Sequence, residues 1–429
     1  MSEKLTFVIA GLGNRGVDVH GKHIYARPDE MRIAAVADHS PEKVRRAMTT
    51  FNLTPEQCLN SAEELFACNK MADVAVIATQ DKQHYSHAMA ALKKGYHLLL
   101  EKPISPKLSE CIELREEAIR HKLSVTVCHS LRYSPFFRVI KELIDSGSIG
   151  KVFDIDLVEN AAYWHQAHSF VRGNWRNSTE SSPMILAKSC HDMDILHYLL
   201  GVSCQRLSSF GSLSWFKNEN APAGSASYCL DATECRPGCP YDAVKFYIDG
   251  CAETQAKGEK VGWPFNVVTH NPTPQTLKEA LKTSPYGRCV YHCDNDAVDH
   301  QVVAMNFTGG ITATFTMTGF THDLTRRIQV MGSLGEIMGD LVEGTLFLKR
   351  YGESAKQVDL PIESRDAHGG GDVLMLQAIK EAVNDSDKGV LTGIVKSVHS
   401  HVMSLAAEHS RLNNGIVVDI GAFEKTYGG

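Results

Sequence analysis

The feature that most limits how this chain can fold is the segment VIAGLGNRG, residues 8–16. An apolar run with strand character ends at three glycines, spaced Gly11-x-Gly13-x-x-Gly16. In a strand–turn–helix unit, the first glycine allows a tight turn, the second lets a pyrophosphate approach the backbone, and the third lets the helix pack on the strand. The free N–H groups of the following helix attract an anion. The segment therefore predicts a dinucleotide site at the start of a parallel α/β unit.

The first 130 residues repeat this alternation of strand and helix. The apolar runs are LTFVIAG, MRIAAVAD, MADVAVIAT, YHLLLEKP and LSVTVCH, with helix-like stretches such as SHAMAALKKG between them. Nearly continuous apolar strands between helices are typical of a parallel sheet covered on both faces. We therefore predict an α/β class protein whose residues 1–130 form a Rossmann doubly wound parallel sheet that binds NAD(P).

The pattern changes beyond residue 130. Longer and partly alternating strands are predicted in GKVFDIDLVEN, HQVVAMNF, GITATFTMTGF and RIQVMGSLGEIMGDL, with helices near residues 186–200 and 371–384. This predicts a C-terminal α+β domain over residues 131–429, with a large, mostly antiparallel open sheet. Residues 215–300, rich in Asn, Pro, Gly and Cys, are interpreted as an insertion of loops and short elements.

Charge and hydropathy exclude several classes of function. The formal net charge is -6 and no basic tract is present, so no nucleic-acid partner is expected. No apolar run approaches the roughly 18 residues of a membrane span, so no membrane partner is expected either. The N-terminus has neither a basic region nor a cleavage site, which favours a cytoplasmic protein.

Twelve cysteines are an unusual number for such a protein, and they include the spacings Cys235-x3-Cys239 and Cys289-x3-Cys293. A structural zinc site more often has a two-residue spacer, so we favour buried packing thiols and predict no metal. The sequence leaves open whether these four cysteines meet.

Asp38 ends the second predicted strand. An acid there accepts hydrogen bonds from the ribose hydroxyls and repels a 2′-phosphate, which favours NAD. The neighbouring His39, Ser40 and Lys43 leave NADP possible.

The segment EKPIS, residues 101–105, places a charged pair at the end of a buried strand. Ligands of an open parallel sheet lie beyond the carboxyl ends of its strands. Pro103 removes a backbone donor and keeps Lys102 extended, so the chain presents a cation at a fixed place beside the nicotinamide.

With its glycine motif, Asp38 and EKP, the sequence resembles the Gfo/Idh/MocA (glucose–fructose oxidoreductase / inositol dehydrogenase) family over essentially its whole length. Further similar segments are LRYSPFF, SIGKV, HDMDILHYLLG, GSLGEI, HGGGD and LAAEHSRLNNG. The resemblance implies a carbohydrate-like substrate, a homodimer or homotetramer formed through the open sheet, Lys102 as a catalytic residue, and a cis peptide bond before Pro103.

The helix in SPMILAKSCHDMDILHYLLG carries the second half of the implied site. Family members have an Asp four residues before the histidine that matches His191, and here that position is Ala187. We predict His191 as the general acid or base. Lys188 would bind substrate or lower the pKa of His191 from a shared helix face, and Asp194 would orient a sugar hydroxyl or support the helix.

The segment AAYWHQAHSFVRGNWRN, residues 161–177, fits neither helix nor strand periodicity, so we predict a loop beside the cleft whose aromatic and basic side chains suit a sugar. His129, at the domain junction, is a further candidate. The predicted substrate-binding residues are Lys188, Asp194, Tyr133, His165, His168, Arg172, Trp175, Arg176 and His368. The predicted cofactor-binding residues are Gly11, Leu12, Gly13, Asn14, Arg15, Gly16, Asp38, Thr79, Gln80, His84, Glu101 and Lys102.

Three functions are compatible with these residues. The first is an NAD-dependent oxidoreductase acting on a secondary hydroxyl of a sugar, glycoside, sugar acid or cyclitol. The second is a glycosidase that uses NAD transiently, through ring oxidation, elimination and re-reduction. The third is a regulator that senses NAD without catalysis, against which the presence of Lys102 and His191 argues.

Overall fold

The computed structural model describes residues 4–361, 368–384 and 390–428 of the 429-residue chain. Two sheets organise it. The first has six parallel strands in the order β3-β2-β1-β4-β5-β6, as predicted for a doubly wound domain. The sequence had indicated five of them, because the edge strand β3 has only two residues. The strands are β1 Leu5–Ala10, β2 Met31–Ala37, β3 Cys58–Leu59, β4 Val74–Ile77, β5 His97–Leu100 and β6 Val125–Val127.

The second sheet has nine strands in the order β14-β13-β12-β11-β7-β10-β9-β8-β15. The pair β10 and β7 is parallel and all its other pairs are antiparallel, which confirms the predicted, mostly antiparallel sheet. Its strands are β7 Val152–Ala161, β8 Cys204–Ser212, β9 His300–Phe307, β10 Ile311–Thr318, β11 Leu324–Gly332, β12 Gly335–Asp340, β13 Thr345–Arg350, β14 Lys356–Gln357 and β15 Val418–Asp419.

Helices cover both faces of the first sheet and one face of the second. The α-helices are Lys22–Tyr25, Pro41–Phe51, Ala62–Ala67, His84–Lys93, Leu108–His121, Pro135–Asp145, Tyr163–His165, Met184–Ala187, Cys190–Leu200, Gly250–Ala256, Phe265–Val268, Pro274–Ala280, Gly371–Asn384, Ile394–Leu412 and Ile420–Tyr427. The π-helices are Asn14–Gly21, Gln166–Arg172 and Val244–Asp249. The 3₁₀ turns are Pro55–Gln57, Asp81–Gln83, Ser130–Tyr133, Asn218–Asn220, Arg236–Gly238 and Pro285–Gly287.

Alternate residues of β1 enter two different apolar cores, as expected for a strand buried on both faces. Val8 joins a core that continues into the second sheet, whereas Ile9 joins a core on the opposite face. The helix Gly371–Asn384 contributes Met375 and Leu376 to that opposite core. The last third of the chain therefore returns to cover the nucleotide domain, which a linear division of the sequence does not reveal.

The segment between β8 and β9 has helices and two small apolar cores of its own. Its core residues include Tyr247, Cys251 and Leu277 in one cluster and Phe216 and Val290 in the other. The segment predicted as an insertion of loops and short elements thus contains short helices that pack on apolar cores of their own. No helix among the described residues is long and apolar enough to cross a bilayer.

Candidate active site

The glycine turn after β1 has the three properties predicted from its spacing. Gly11 has φ of +92°, and a Cβ there would lie 2.4 Å from the carbonyl oxygen of Ala78. A Cβ on Gly16 would lie 1.9 Å from the oxygen of Gly11, so close helix packing excludes a side chain. A Cβ on Gly13 would meet no atom within 4 Å, which leaves its backbone open to a ligand.

An open cavity lies against this turn at the carboxyl ends of β1 and β4. Asp38 stands at the second strand, where its carboxylate accepts the backbone N–H of Leu12 at 2.8 Å and of Ser40 at 2.9 Å. Lys43 Nζ lies 3.9 Å from the same carboxylate. The glycine turn, the N-terminus of the following helix and the carboxylate of Asp38 therefore fit a dinucleotide. The predicted residues that line the cavity are Gly11, Gly13, Asp38, Thr79 and Gln80.

Other predicted cofactor residues support this site from outside the cavity. His84 is buried, and its ring nitrogens lie 2.7 Å from the oxygen of Pro103 and 3.1 Å from that of Thr79. Arg15 contacts Glu101 at 2.5 Å and Asp372 at 2.8 Å. Arg15 thus ties the glycine turn to the strand end of β5 and to the helix Gly371–Asn384.

Glu101 is buried beneath this network. Its carboxylate also lies 2.7 Å from Nε2 of His20. Burial alone would raise the pKa of Glu101, but Arg15 and His20 outweigh it and hold the pKa well below the ordinary range. Glu101 is therefore a fixed negative charge that secures the strand end and is unsuited to proton transfer.

Lys102 lies directly beyond this fixed acid, and its peptide bond to Pro103 is cis, as expected. Its Nζ donates to the carbonyl oxygen of Ala187 at 2.5 Å and lies 5.9 Å from the centre of the Trp175 ring. Among the described residues it has no carboxylate partner. The ammonium group is thus held by a neutral carbonyl and an aromatic face, with its charge available to a ligand.

Trp175 is itself fixed by a residue of the nucleotide domain. Asp81, immediately after the cavity residue Gln80, accepts the indole N–H of Trp175 at 3.2 Å and the hydroxyl of Ser182 at 2.5 Å. Asp81 is buried. The wall of the nucleotide cavity is therefore linked to Lys102 through two side chains.

His191 lies in the first turn of the helix Cys190–Leu200, shortly after Ala187, whose carbonyl oxygen binds Lys102. Its ring packs between those of His129 at 5.7 Å and His368 at 5.2 Å. Both ring nitrogens are shielded from solvent and have no hydrogen-bond partner among the described residues. Burial, then Lys102 and His368, lower the pKa of His191 far below its ordinary value, so its ring is neutral. His129 is likewise buried beside Asp194.

Lys188 does not share a helix face with His191, because the chain breaks at Ser189 between the helices Met184–Ala187 and Cys190–Leu200. Its Nζ pairs instead with Glu159 at 3.0 Å. Glu159 also pairs with Arg326, which in turn pairs with Asp192 at 2.7 Å. The cations that lower the pKa of His191 are therefore Lys102 and, less strongly, Arg326. The helix face that was predicted to bring Lys188 to that histidine does not form.

The segment predicted as a loop, 161–177, folds into the short helix Tyr163–His165 and the π-helix Gln166–Arg172. Periodicity misses it because a π-helix turns at a different period from an α-helix. Of its predicted site residues, Trp175 lies beside Lys102. His165 is buried, and burial, with Lys188 next, lowers its pKa well below the ordinary value.

The remaining predicted substrate residues contact other parts of the protein. His168 Nδ1 lies 2.7 Å from the Tyr247 hydroxyl, and its ring stacks on Tyr286. The Arg172 guanidinium is bound by the carbonyl oxygens of Arg288 and Tyr241. These two side chains hold the insertion against the second domain.

Arg176 pairs with Asp294 at 2.9 Å, also within the insertion. Asp194 accepts two N–H groups of buried Arg132 at 2.6 Å, the supporting role that the sequence had left open. Tyr133 is buried near Thr392. None of these three contacts involves Lys102 or His191.

His368 lies at the start of the described segment 368–384. Its Nδ1 is 3.0 Å from Asp372, the same carboxylate that pairs with Arg15. Sequence reasoning missed Asp81, Glu159 and Arg326, since each acts through a partner distant in the chain. It also missed Asp372, although the four-residue spacing from His368 could have marked that residue.

All twelve cysteines are free thiols. Cys235, Cys239 and Cys289 line one small cavity together with Cys229, whereas Cys293 does not line it. Across residues 4–361, 368–384 and 390–428, the only group of three ligand atoms mutually within 4.8 Å is His20, Glu101 and Cys128, which Arg15 already neutralises.

The fold and the site define a class of protein: one with a Rossmann-like parallel sheet, a glycine turn that fits a dinucleotide, and a lysine at the carboxyl-end edge of that sheet. Two family models match the chain. The first, described as "Oxidoreductase family, NAD-binding Rossmann fold", matches residues 5–129. The second, "Oxidoreductase family, C-terminal alpha/beta domain", matches residues 141–410. The chain therefore belongs to the Gfo/Idh/MocA oxidoreductase family, as its sequence had indicated.

Individual relatives agree with this assignment. YteT of Bacillus subtilis (strain 168), named as an oxidoreductase, is 22% identical over 86% of this chain and 87% of its own length. Inositol 2-dehydrogenase 2 of Saccharopolyspora erythraea is 26% identical over 65% of this chain and 78% of its own. The crystal structure of an Agrobacterium radiobacter oxidoreductase with NAD+, L-tartaric acid and magnesium has the same fold, with a TM-score of 0.67 at 17% identity. The likeness covers 98% of this chain and 99% of that one.

Proposed function

We propose that the protein is an NAD-dependent dehydrogenase that acts on a secondary hydroxyl of a sugar, glycoside, sugar acid or cyclitol. The observation that carries this proposal is Lys102, an ammonium group without a carboxylate partner among the described residues. It follows strand β5, at the same edge of the parallel sheet as the cavity beside the glycine turn. The inositol dehydrogenase among its relatives supports a polyhydroxylated substrate.

The cofactor would be held by the glycine turn at Gly13 and by Asp38 at the ribose. A bound nicotinamide supplies the hydride acceptor. Lys102 would donate a hydrogen bond to the reacting oxygen and stabilise the negative charge that develops as its proton leaves. Trp175 and the carbonyl of Ala187 keep the ammonium group in place for that task.

The test is a spectroscopic screen with purified protein. NAD+ or NADP+ is mixed with inositols, aldoses, sugar acids and aryl glycosides, and reduced cofactor is followed by absorbance. We expect stoichiometric NADH with at least one polyol and a stronger response to NAD+ than to NADP+. Absence of reduced cofactor with every substrate would contradict the proposal.

The same screen separates the redox-assisted glycosidase. That enzyme would release the aryl group from a glycoside with no net NADH, and it would need only catalytic amounts of NAD+. The dehydrogenase produces one NADH for each molecule of ketone.

A further inference from the structure

Four cysteine side chains of the segment between β8 and β9 line one small cavity. They are Cys229, Cys235, Cys239 and Cys289, and all four are free thiols. Cys293, which the sequence spacing pairs with Cys289, does not line this cavity, and its sulfur lies 3.3 Å from the carbonyl oxygen of Cys289. The fold therefore brings together a different set of four thiols from the set that the spacing suggested.

A short backbone pairing positions two of these thiols. Tyr228 and Arg288 form an isolated antiparallel bridge. Successive side chains of an extended segment point to opposite faces, so the residues that follow the bridged pair, Cys229 and Cys289, share one face. The backbone N–H groups of both cysteines donate hydrogen bonds across the bridge at 2.9 Å. The backbone therefore fixes this pair of cysteines beside the cavity.

A single turn positions the other two thiols. Cys235 and Cys239 stand at the two ends of the 3₁₀ turn Arg236–Gly238. The N–H of Cys239 donates to the carbonyl oxygen of Arg236 at 3.1 Å, which closes the turn. Because both cysteines line the cavity, the turn directs both ends of the three-residue spacer to one side. A spacer longer than the common two residues therefore does not keep these thiols apart.

The guanidinium group of Arg172 lies beside this cluster without a balancing acid. Arg172 is 1% exposed. Its N–H groups donate to the carbonyl oxygens of Arg288 at 2.7 Å and Tyr241 at 2.6 Å, and Nη2 lies 3.7 Å from the sulfur of Cys229. No carboxylate among the described residues pairs with it. A buried cation without a counter-ion is strongly destabilising, so a negative charge is expected next to Arg172.

The nearby carboxylate is already used. Asp242 lines the same cavity, but it pairs with Arg236 at 3.2 Å and accepts the backbone N–H of Val244 at 3.0 Å. The thiol of Cys229 contacts Arg172 directly, but a protonated thiol carries no charge. The missing anion must therefore come from deprotonated thiols.

We infer that these four thiols form a binding site for a soft metal ion, with Zn²⁺ as the expected ion. On binding, each S–H bond breaks, the sulfur keeps the electron pair and coordinates the metal, and the four protons leave to solvent. Nothing is oxidised or reduced. Four thiolates and one divalent cation carry a net charge of about −2, which supplies the anion that Arg172 lacks. This role differs from the packing role that the sequence favoured.

The thiols must move closer together to hold the ion. Within the part of the chain that the structure describes, no three of the four sulfurs lie within 4.8 Å of one another. Around a tetrahedral zinc ion with Zn–S bonds of about 2.3 Å, the sulfurs are about 3.8 Å apart. A change between staggered χ1 rotamers moves a cysteine sulfur by about 3 Å. Rotation of the side chains into the cavity can therefore close the site while the backbone stays in place.

The expected role of the metal is structural. The segment between β8 and β9 has only two small apolar cores, and a metal commonly supplies the stability that such small units lack. The nucleotide cavity is lined by residues of the first domain alone. Loss of the metal should therefore destabilise the insertion and leave NAD+ binding unchanged.

The first test measures metal content in the full-length protein, purified without an affinity tag from zinc-supplemented medium. We expect about one zinc ion per chain by plasma mass spectrometry. Cys229→Ser and Cys239→Ser should each lose most of it, whereas the matched control Cys293→Ser should retain it. Circular dichroism of each variant separates loss of metal from loss of fold, and the wild-type measurement keeps the inference testable if the variants do not fold.

A second test examines the ligands and the charge. Wild-type protein reconstituted with Co²⁺ should show the thiolate-to-metal charge-transfer band and the d–d bands of tetrahedral thiolate coordination. Arg172→Gln should weaken zinc binding by about 10–100-fold in competition with a chelating dye, and Arg172→Lys, which keeps the positive charge, should weaken it less.

Several outcomes would overturn the inference. They are wild-type protein that takes up no metal, equal metal loss in Cys293→Ser and Cys229→Ser, or a cobalt spectrum without the thiolate band. Zinc retained when all four cysteines are replaced by serine would show an adventitious ion only. Metal content is measured without substrate, so these results do not depend on whether the protein reduces NAD+.

Discussion

Replacement of Asp81 by Ala should weaken catalysis although Asp81 touches neither Lys102 nor His191. Its carboxylate accepts two hydrogen bonds from the second domain, one from Trp175 and one from Ser182. Bonds to a charged group contribute about 1.5–3 kcal/mol each, so the change removes about 3–6 kcal/mol of interaction between the domains. Trp175 would lose its fixed orientation, and with it the contact to Lys102.

A double-mutant cycle measures how much of that loss reaches Lys102. Asp81→Ala, Trp175→Phe and the double variant are compared by kcat/KM, with Ser182→Ala as a control that removes one hydrogen bond without touching Trp175. Residues in one network couple by about 0.5–3 kcal/mol, and we expect about 1 kcal/mol, or roughly fivefold. Strict additivity, or Ser182→Ala as damaging as Asp81→Ala, would refute the role of Trp175 as the link.

Four further predictions follow from single features of the structure. Lys102→Met should lower kcat by at least about 10²-fold with unchanged NAD+ affinity by calorimetry, and a loss of NAD+ binding would contradict its role at the substrate. Asp38→Ser should raise the NADP+ to NAD+ preference by about 1–2 kcal/mol, measured as the ratio of kcat/KM values; an unchanged ratio would show that Asp38 does not face the ribose. Burial lowers the pKa of His129 to about 4 and of His401 to about 3. Because the unfolded chain binds these protons first, the free energy of unfolding should fall as pH decreases from about 6.5 towards 4 in chemical denaturation, and a flat profile would contradict buried neutral rings. Phe210 is 57% exposed on the open face of the large sheet, so Phe210→Asp should convert an oligomer into smaller species by light scattering, whereas an unchanged mass would place any interface elsewhere.

Local patterns in the sequence predicted those residues of the candidate site that directly follow a strand. The glycine turn, Asp38 and Lys102 each follow a short apolar run, and the geometry of a parallel sheet brings such ends to one edge. Both sheets were predicted for the same reason, because strand periodicity is a property of neighbouring residues. The sequence did not predict which C-terminal elements pack on the nucleotide domain. The helix Gly371–Asn384 packs on the first sheet although it lies in the last third of the chain.

Contacts between distant residues decided what the sequence could not predict. Lys188 was placed beside His191 by helical spacing, but a break at Ser189 turns it to Glu159, which lies on β7. Arg172 looked suited to a substrate anion, yet two backbone carbonyls of the insertion use its guanidinium. A basic or aromatic side chain near a cleft is informative only once its partners are known.

Because residue 187 is an alanine, no carboxylate at that position neutralises Lys102. Where relatives are expected to carry an Asp, this chain offers only a backbone carbonyl, which anchors Lys102 without neutralising it. The nearby acids Glu159 and Asp192 are already paired with Lys188 and Arg326. Lys102 therefore contributes a positive charge that no described carboxylate balances, and that charge favours both a neutral histidine and an anionic substrate oxygen.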